Sequence, residues 1–175
     1  MLLQWILFLV VSAPIVAFSW PWLRNSRSHG FYRFFAFESI LGLILLNAPR
    51  WFRDPFSPRQ IVSWLLLLAS AFLAAHGFYL LRVIGRPQSG IESTRTLVTL
   101  GAYRYIRHPL YASLLAFAWG AFLKDISLPG ALLAGIATAA LFATGRVEEV
   151  ENKLKFGDAY AEYMKKSKMF IPFLF

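Results

Sequence analysis

The chain has 175 residues, of which 58% are hydrophobic, 17% aromatic and 15% charged, and its formal net charge is +9. This composition is too apolar for a soluble globular domain of that length and is typical of a membrane protein. The chain has no cysteine, which excludes a disulfide framework, a thiolate metal site and a cysteine nucleophile. No metal site of another kind is predicted.

Five apolar segments predict membrane-spanning helices, since a span needs roughly 20 residues and three of the segments are near that length and carry no Asp, Glu, Lys or Arg. The predicted spans are residues 2–20, 34–48, 61–81, 109–123 and 126–145. The fourth has about 15 apolar residues, or roughly 22 Å of helix against a hydrocarbon core of about 30 Å. Whether it crosses fully therefore stays open.

The basic residues alternate with these segments. Fourteen of the 18 lysines and arginines fall after the first, third and fifth predicted spans. The positive-inside rule then predicts an outer N-terminus and a cytoplasmic C-terminus. This pattern indicates membrane lipids with anionic headgroups as partners, and no nucleic acid.

The predicted fold is all-α, an integral membrane helical bundle of about five transmembrane helices with a C-terminal cytoplasmic helical extension. Residues 1–81 hold three N-terminal transmembrane helices. Residues 82–107 form a polar stretch of about 26 residues, longer than a simple connection requires. We therefore expect residues 82–175 to be the functional part: this loop, the hairpin of helices 4 and 5, and a C-terminal helix.

Two ionisable residues lie inside predicted spans, Glu38 and His76. With opposite helix directions they reach similar depth, so they could pair with each other, and Glu38 could instead contact Arg33. An ionisable residue within a span indicates a functional role by default. A contact that only fixes helix packing is the alternative, and the sequence leaves both open.

The Arg107-His108-Pro109 sequence opens the fourth predicted span. Proline in the first turn of a helix costs no hydrogen bond, because its N–H would be unpaired there in any case. The positive helix end beside Arg107 and His108 would suit a carboxylate. A basic membrane-interface motif that caps the helix is the alternative.

Two acidic residues, Glu148 and Glu149, follow the last predicted span. A carboxylate at the C-terminal end of a helix opposes the helix dipole, so we expect a partner to hold it. Arg104, Arg107 and Arg146 are candidate partners, as are the hydroxyl or amino groups of a ligand.

Several ordered motifs within about residues 88–175 together resemble one membrane enzyme family. They are Leu-Val-Thr-x-Gly-x-Tyr from Leu97, Arg-His-Pro-x-Tyr from Arg107, Glu148-Glu149, Phe-Gly-x-x-Tyr-x-x-Tyr from Phe156 and a final Ile-Pro-Phe. This order and spacing resemble the isoprenylcysteine carboxyl methyltransferase family, which is related to phospholipid methyltransferases.

The resemblance implies an enzyme that uses S-adenosyl-L-methionine as cofactor. Its acceptor would be lipophilic, an isoprenylcysteine-type carboxylate or thiol or a lipid amine, methylated at the cytoplasmic face. The implied catalytic residues are Arg107 and Arg146, either of which would orient the acceptor, and Glu149. The implied cofactor contacts are Gln88, Arg95, Thr96, Leu97, Val98, Tyr103, His108, Pro109, Leu110, Tyr111 and Glu148.

The chain departs from the family pattern at the arginine expected to bind a substrate carboxylate, whose position is occupied by Thr144. Arg146 lies two residues before Glu148, about 200° around a helix from the expected place. Either Arg146 replaces the missing arginine or the acceptor is not a carboxylate. Arg95 likewise stands where the eukaryotic enzymes have histidine.

Two other functions stay open. Sterol reductases, which use NADPH, have a related Arg-His-Pro helix in which Asn-Tyr and then an acidic residue follow the proline. Here Leu110 and Tyr111 follow without such an acid. The other alternative is a membrane scaffold without catalysis, since a fold does not guarantee a function.

Overall fold

The computed structural model describes residues 2–88 and 93–174. These residues form six α-helices and two short 3₁₀ turns, and no β-strand is found among them. The all-α prediction is therefore confirmed. The helices are α1 (Leu2–Leu23), α2 (His29–Asn47), α3 (Pro58–Val83), α4 (Pro109–Phe122), α5 (Leu128–Phe156) and α6 (Asp158–Lys166).

Helices α1, α2, α3 and α5 are long and apolar enough to cross a membrane. The chain is thus a multi-pass helical membrane protein. Helix α4 begins at Pro109, as predicted, and its 14 residues give about 21 Å of helix. Four of the five predicted spans therefore have spanning length, and the fourth is shorter than the hydrocarbon core.

Helix α5 continues well beyond the predicted end of its span at residue 145, to Phe156. The predicted helical extension is therefore confirmed, and the backbone stays helical from the span into its charged residues. Long charged side chains such as those of Glu and Lys are good helix formers. The extension is thus part of α5, followed by the short helix α6.

The chain divides into two compact units. The first unit comprises Met1–Leu68 and Leu115–Glu148, and the second comprises Ala69–Leu114 and Glu149–Phe175. Helices α3, α4 and α5 each contribute residues to both. These units do not test the predicted boundary at residue 82 between the N-terminal helices and the functional part, which stays a prediction.

In the first unit, polar side chains satisfy the backbone at the C-terminal end of α4. Asn47 Nδ2 donates to the Ala121 carbonyl at 2.7 Å, and Ser63 Oγ donates to the Gly120 carbonyl at 2.7 Å. The last carbonyls of a helix have no partner within the helix. These buried side chains therefore supply the missing donors and fix α2 and α3 against this end of α4.

Lys124, in the turn between α4 and α5, is fully buried. Its Nζ donates to Gln60 Oε1 at 3.1 Å and lies 3.3 Å from the ring centroid of Trp64. Gln60 Nε2 in turn donates to the Lys124 carbonyl at 3.2 Å. Burial lowers the pKa of Lys124, and the amide oxygen and the indole face offset part of that desolvation.

Glu38 accepts a hydrogen bond of 2.8 Å from Ser12 Oγ, which links α1 to α2 in the first unit. The guanidinium of Arg33 lies 5.3 Å from the ring centroids of both Phe18 and Trp22. These contacts give both groups a part in helix packing. The Glu38–His76 pair stays a prediction.

The loop between α3 and α4 belongs to the second unit, where its backbone is held at two glycines. The Gly85 carbonyl accepts from the N–H groups of Arg95 at 2.8 Å and Thr96 at 3.2 Å. Gly101 has a φ of +58°, in the left-handed region. A Cβ there would lie 2.5 Å from His76 Nε2, so glycine is required for two reasons.

We expect Gly101→Ala to lower the free energy of unfolding by about 1–2 kcal/mol through its backbone conformation alone. The new methyl group would add a clash with the His76 ring. The matched control is Gly135→Ala, because a Cβ at Gly135 meets no atom within 4 Å. That control should leave the thermal midpoint in detergent unchanged or slightly raised, since alanine favours helices. Equal midpoints for the two variants would contradict this account of Gly101.

Candidate active site

The guanidinium of Arg107 donates hydrogen bonds to three groups of the second unit. Its Nε donates to Glu149 Oε1 at 2.6 Å, and the two side chains are only 10% and 6% exposed. Its Nη1 donates to the carbonyls of Met164, at 3.4 Å, and Ser167. Arg107 therefore joins the loop before α4 to the end of α5 and to the segment that follows α6.

His108 is buried beside the same carboxylate. Its Nε2 lies 3.6 Å from Glu149 Oε1, and its ring stacks on Tyr111 with a centroid distance of 5.5 Å. The ring of Phe170 lies 5.9 Å away. The Arg-His-Pro-x-Tyr motif thus assembles a buried carboxylate, an imidazole and aromatic rings in one place.

The segment after α6 pairs with the backbone of the motif. Arg107 N–H donates to the Lys168 carbonyl at 2.7 Å, and His108 N–H donates to the Met169 carbonyl at 3.2 Å. Lys168 N–H donates back to the Tyr105 carbonyl at 2.9 Å. The N–H groups of Arg107 and His108 thus bind the chain itself, so an anion at the start of α4 would need other donors. The predicted anion site there stays a prediction.

Tyr163 holds α6 against the loop. Its hydroxyl donates to the Tyr103 carbonyl at 2.6 Å. Burial raises the pKa of the Tyr163 phenol, so it stays protonated and able to donate. Tyr103 itself packs in a core with Leu80 and Val98. The second tyrosine of the Tyr-x-x-Tyr motif is therefore a structural partner of the predicted cofactor contact Tyr103.

An open pocket of about 740 Å³ lies in the loop that follows α3. With the Gln88 amide oriented to match its donors, its oxygen accepts from Arg95 Nε at 2.5 Å and Nη2 at 2.8 Å. Both residues are exposed. The lining residues are Arg82, Arg86, Pro87, Gln88, Arg95 and Thr96.

The second unit contains twelve of the fourteen predicted site residues. Arg146 and Glu148 belong to the first unit, where Arg146 is exposed and Glu148 half-buried, so their part in the site stays a prediction. The twelve are Gln88, Arg95, Thr96, Leu97, Val98, Tyr103, Arg107, His108, Pro109, Leu110, Tyr111 and Glu149.

Thr144, which occupies the position of the family's carboxylate-binding arginine, is fully buried. Its Oγ1 donates to the carbonyl of Ala140, one turn earlier in α5, at 2.8 Å. A threonine in this arrangement satisfies its hydroxyl within its own helix.

The sequence did not indicate the backbone acceptors of Met164, Ser167, Lys168 and Met169. Every residue carries a carbonyl, so no residue type marks those that bind Arg107 and His108. The only available signal was the family motif that ends in Ile-Pro-Phe, which places an ordered segment after α6.

Residues 58–158, more than half of the chain, match the family model described as phospholipid methyltransferase. A similar curated protein is methanethiol S-methyltransferase 1 from Bradyrhizobium diazoefficiens, which is 29% identical over 116 residues. The aligned region covers 65% of this chain and 40% of that protein. The match therefore spans less than half of the length of this relative.

We expect Glu149→Gln to lower the free energy of unfolding by about 3–5 kcal/mol, because it leaves the buried Arg107 guanidinium without its anionic partner. Unfolding of the purified protein in detergent, followed by tryptophan fluorescence, measures the loss. The matched control is Glu162→Gln, which removes an equally short but exposed pair with Lys165 and should change little. Similar losses in both variants would refute the structural importance of the Arg107–Glu149 pair.

Proposed function

The chain belongs to the phospholipid methyltransferase family, and on this premise we propose that it transfers a methyl group from S-adenosylmethionine to a lipophilic acceptor at the cytoplasmic membrane face. The observation that carries the proposal is the buried cluster of Arg107, His108 and Glu149. All three belong to the segment that matches the family. The excess of basic residues on one predicted side supports the cytoplasmic location.

The residues of the second unit fit the chemical groups of this cofactor. S-adenosylmethionine carries a cationic sulfonium, which the faces of the Tyr103 and Tyr111 rings would favour, and the His108 ring stacks on Tyr111. When bound, the cofactor supplies an electrophilic methyl group. The family resemblance adds Gln88, Arg95, Thr96, Leu97, Val98, Pro109, Leu110 and Glu148 as contacts.

The protein's role in this reaction is to place the cofactor and the acceptor in line and to exclude water, because methyl transfer from a sulfonium is an in-line displacement. Arg107 serves as a positioning residue, since its donors already bind Glu149 and two carbonyls of the chain. Glu149 in turn lies beside the His108 ring and orients it. Buried groups with few alternative positions suit this task.

We infer that the acceptor is a lipophilic thiol or amine rather than a carboxylate. Thr144 stands where a carboxylate-binding arginine is expected, and its hydroxyl binds its own helix. Arg107 is engaged by Glu149 and so has less capacity for a substrate anion. The name of the methanethiol S-methyltransferase relative favours sulfur as the acceptor atom.

The first test is calorimetric binding of S-adenosylmethionine to the full chain in detergent. We expect wild-type binding to weaken about tenfold or more in His108→Ala and in Glu148→Gln, which is the loss of one hydrogen bond to a charged group. The control is the exposed Arg104→Gln, which should bind like the wild type. Binding of NADPH in place of S-adenosylmethionine would favour a reductase, and binding of neither a scaffold.

The second test compares dodecanethiol, dodecylamine and dodecanoate as acceptors, with transfer of a labelled methyl group as the readout. We expect turnover of the thiol or the amine and none of the carboxylate. Thr144→Val keeps the shape of the side chain but removes its hydroxyl, and should not change this preference. Methylation of dodecanoate at a comparable rate would contradict the inference from Thr144.

A further inference from the structure

A pocket after α3, here called the arginine pocket, is lined by Arg82, Arg86, Pro87, Gln88, Arg95 and Thr96 and carries several positive charges. Three of its residues are arginines, and no carboxylate is found among its described lining residues. The Arg95 guanidinium binds Gln88. The side chains of Arg82 and Arg86 make no ion pair or hydrogen bond with any residue in the described part of the chain, so they are available to a ligand.

The backbone of this pocket is fixed in an uncommon conformation. Arg86 has a φ of 46°, in a region that residues other than glycine seldom adopt. The carbonyl of the preceding Gly85 accepts hydrogen bonds from the N–H groups of Arg95 and Thr96. A Cβ at Gly85 would lie 2.5 Å from the Leu81 carbonyl oxygen. Local strain of this kind is concentrated at binding sites.

The pocket lies where a membrane-spanning helix ends. Arg82 is in the last turn of α3, and Arg86 follows the helix by three residues. The apolar side chains of Phe78, Tyr79 and Val83 on the same part of α3 are about half exposed or more. A ligand with an anionic head and apolar chains would match both features.

We propose that the arginine pocket binds the phosphate group of an anionic phospholipid, with the acyl chains against the exposed face of α3. Guanidinium groups match phosphate oxygens in geometry as well as charge. Basic pockets on the cytoplasmic side of membrane proteins recognise such headgroups, and that leaflet carries the anionic lipids. The proposal rests on Arg82 and Arg86, which are not among the proposed cofactor contacts. Gln88, Arg95 and Thr96 of the same pocket are, so the test below also measures cofactor binding.

The test is calorimetric titration of the full chain, in a neutral detergent, with dihexanoyl phosphatidylglycerol, dihexanoyl phosphatidylcholine and inorganic phosphate. We expect phosphatidylglycerol to bind most tightly. The double variant Arg82→Gln/Arg86→Gln should bind it about ten- to thirtyfold more weakly, since each arginine near a lipid surface raises the affinity for an anionic lipid by about three- to fivefold. Both side chains are exposed, so this variant should fold, which circular dichroism checks.

The matched control is Arg24→Gln/Arg27→Gln, which removes the same charge from exposed arginines on the same predicted membrane side. Its affinity for phosphatidylglycerol should stay near the wild-type value. An equal loss in the control would reduce the effect to general charge attraction and overturn the proposal. Inorganic phosphate that binds as tightly as the lipid would overturn the lipid as the source of the phosphate.

Binding of S-adenosylmethionine to the same variant distinguishes a lipid site from a cofactor site. If Arg82→Gln/Arg86→Gln weakens S-adenosylmethionine binding as strongly as lipid binding, the pocket holds the cofactor's carboxylate and the lipid proposal is wrong. Unchanged cofactor binding, together with lost lipid binding, supports it. If the wild type binds the lipid but no S-adenosylmethionine, the proposed function fails and the lipid site stands.

Discussion

The buried guanidinium of Arg107 joins three parts of the second unit that are distant in the sequence. Removing a guanidinium and a carboxylate from water is costly, and their attraction offsets this only where the remaining donors are also satisfied. Glu149 supplies the charge, while the carbonyls of Met164 and Ser167 supply the other acceptors. The position of His108, and the path of the chain after α6, therefore depend on this one ion pair and its hydrogen bonds.

In the first unit, neutral side chains meet the same requirement that buried polar groups have hydrogen-bond partners. Asn47, Gln60 and Ser63 each donate a side-chain hydrogen bond to a backbone carbonyl at or just after the end of α4. A buried carbonyl without a donor is costly in an apolar environment, so such bonds specify how helices pack. These three polar groups thus serve packing, whereas the second unit places a carboxylate, an imidazole and aromatic rings together.

The functional proposals depend on which charges are already engaged. Arg107 is held by Glu149 and by backbone carbonyls, and Thr144 by its own helix, so neither is suited to bind a substrate carboxylate. Arg82 and Arg86 are engaged by no other described side chain and line an open pocket at the end of a membrane span. This contrast separates a buried cluster whose charges are already paired from two exposed arginines that can bind a lipid headgroup.

The sequence by itself determined the membrane class, the helices of spanning length, the start of α4 at Pro109 and the family, because hydrophobicity and ordered motifs are local properties of the chain. Only the tertiary structure decided the partners of Arg107. Three cations had been candidates for the acidic pair, and the structure joins Arg107 to Glu149 and to carbonyls after α6. The sequence also predicted a charged helical extension after residue 145, and the structure decided that its first part continues α5 to Phe156. Backbone acceptors have no signature in sequence, so the contacts that orient the site were decided by folding.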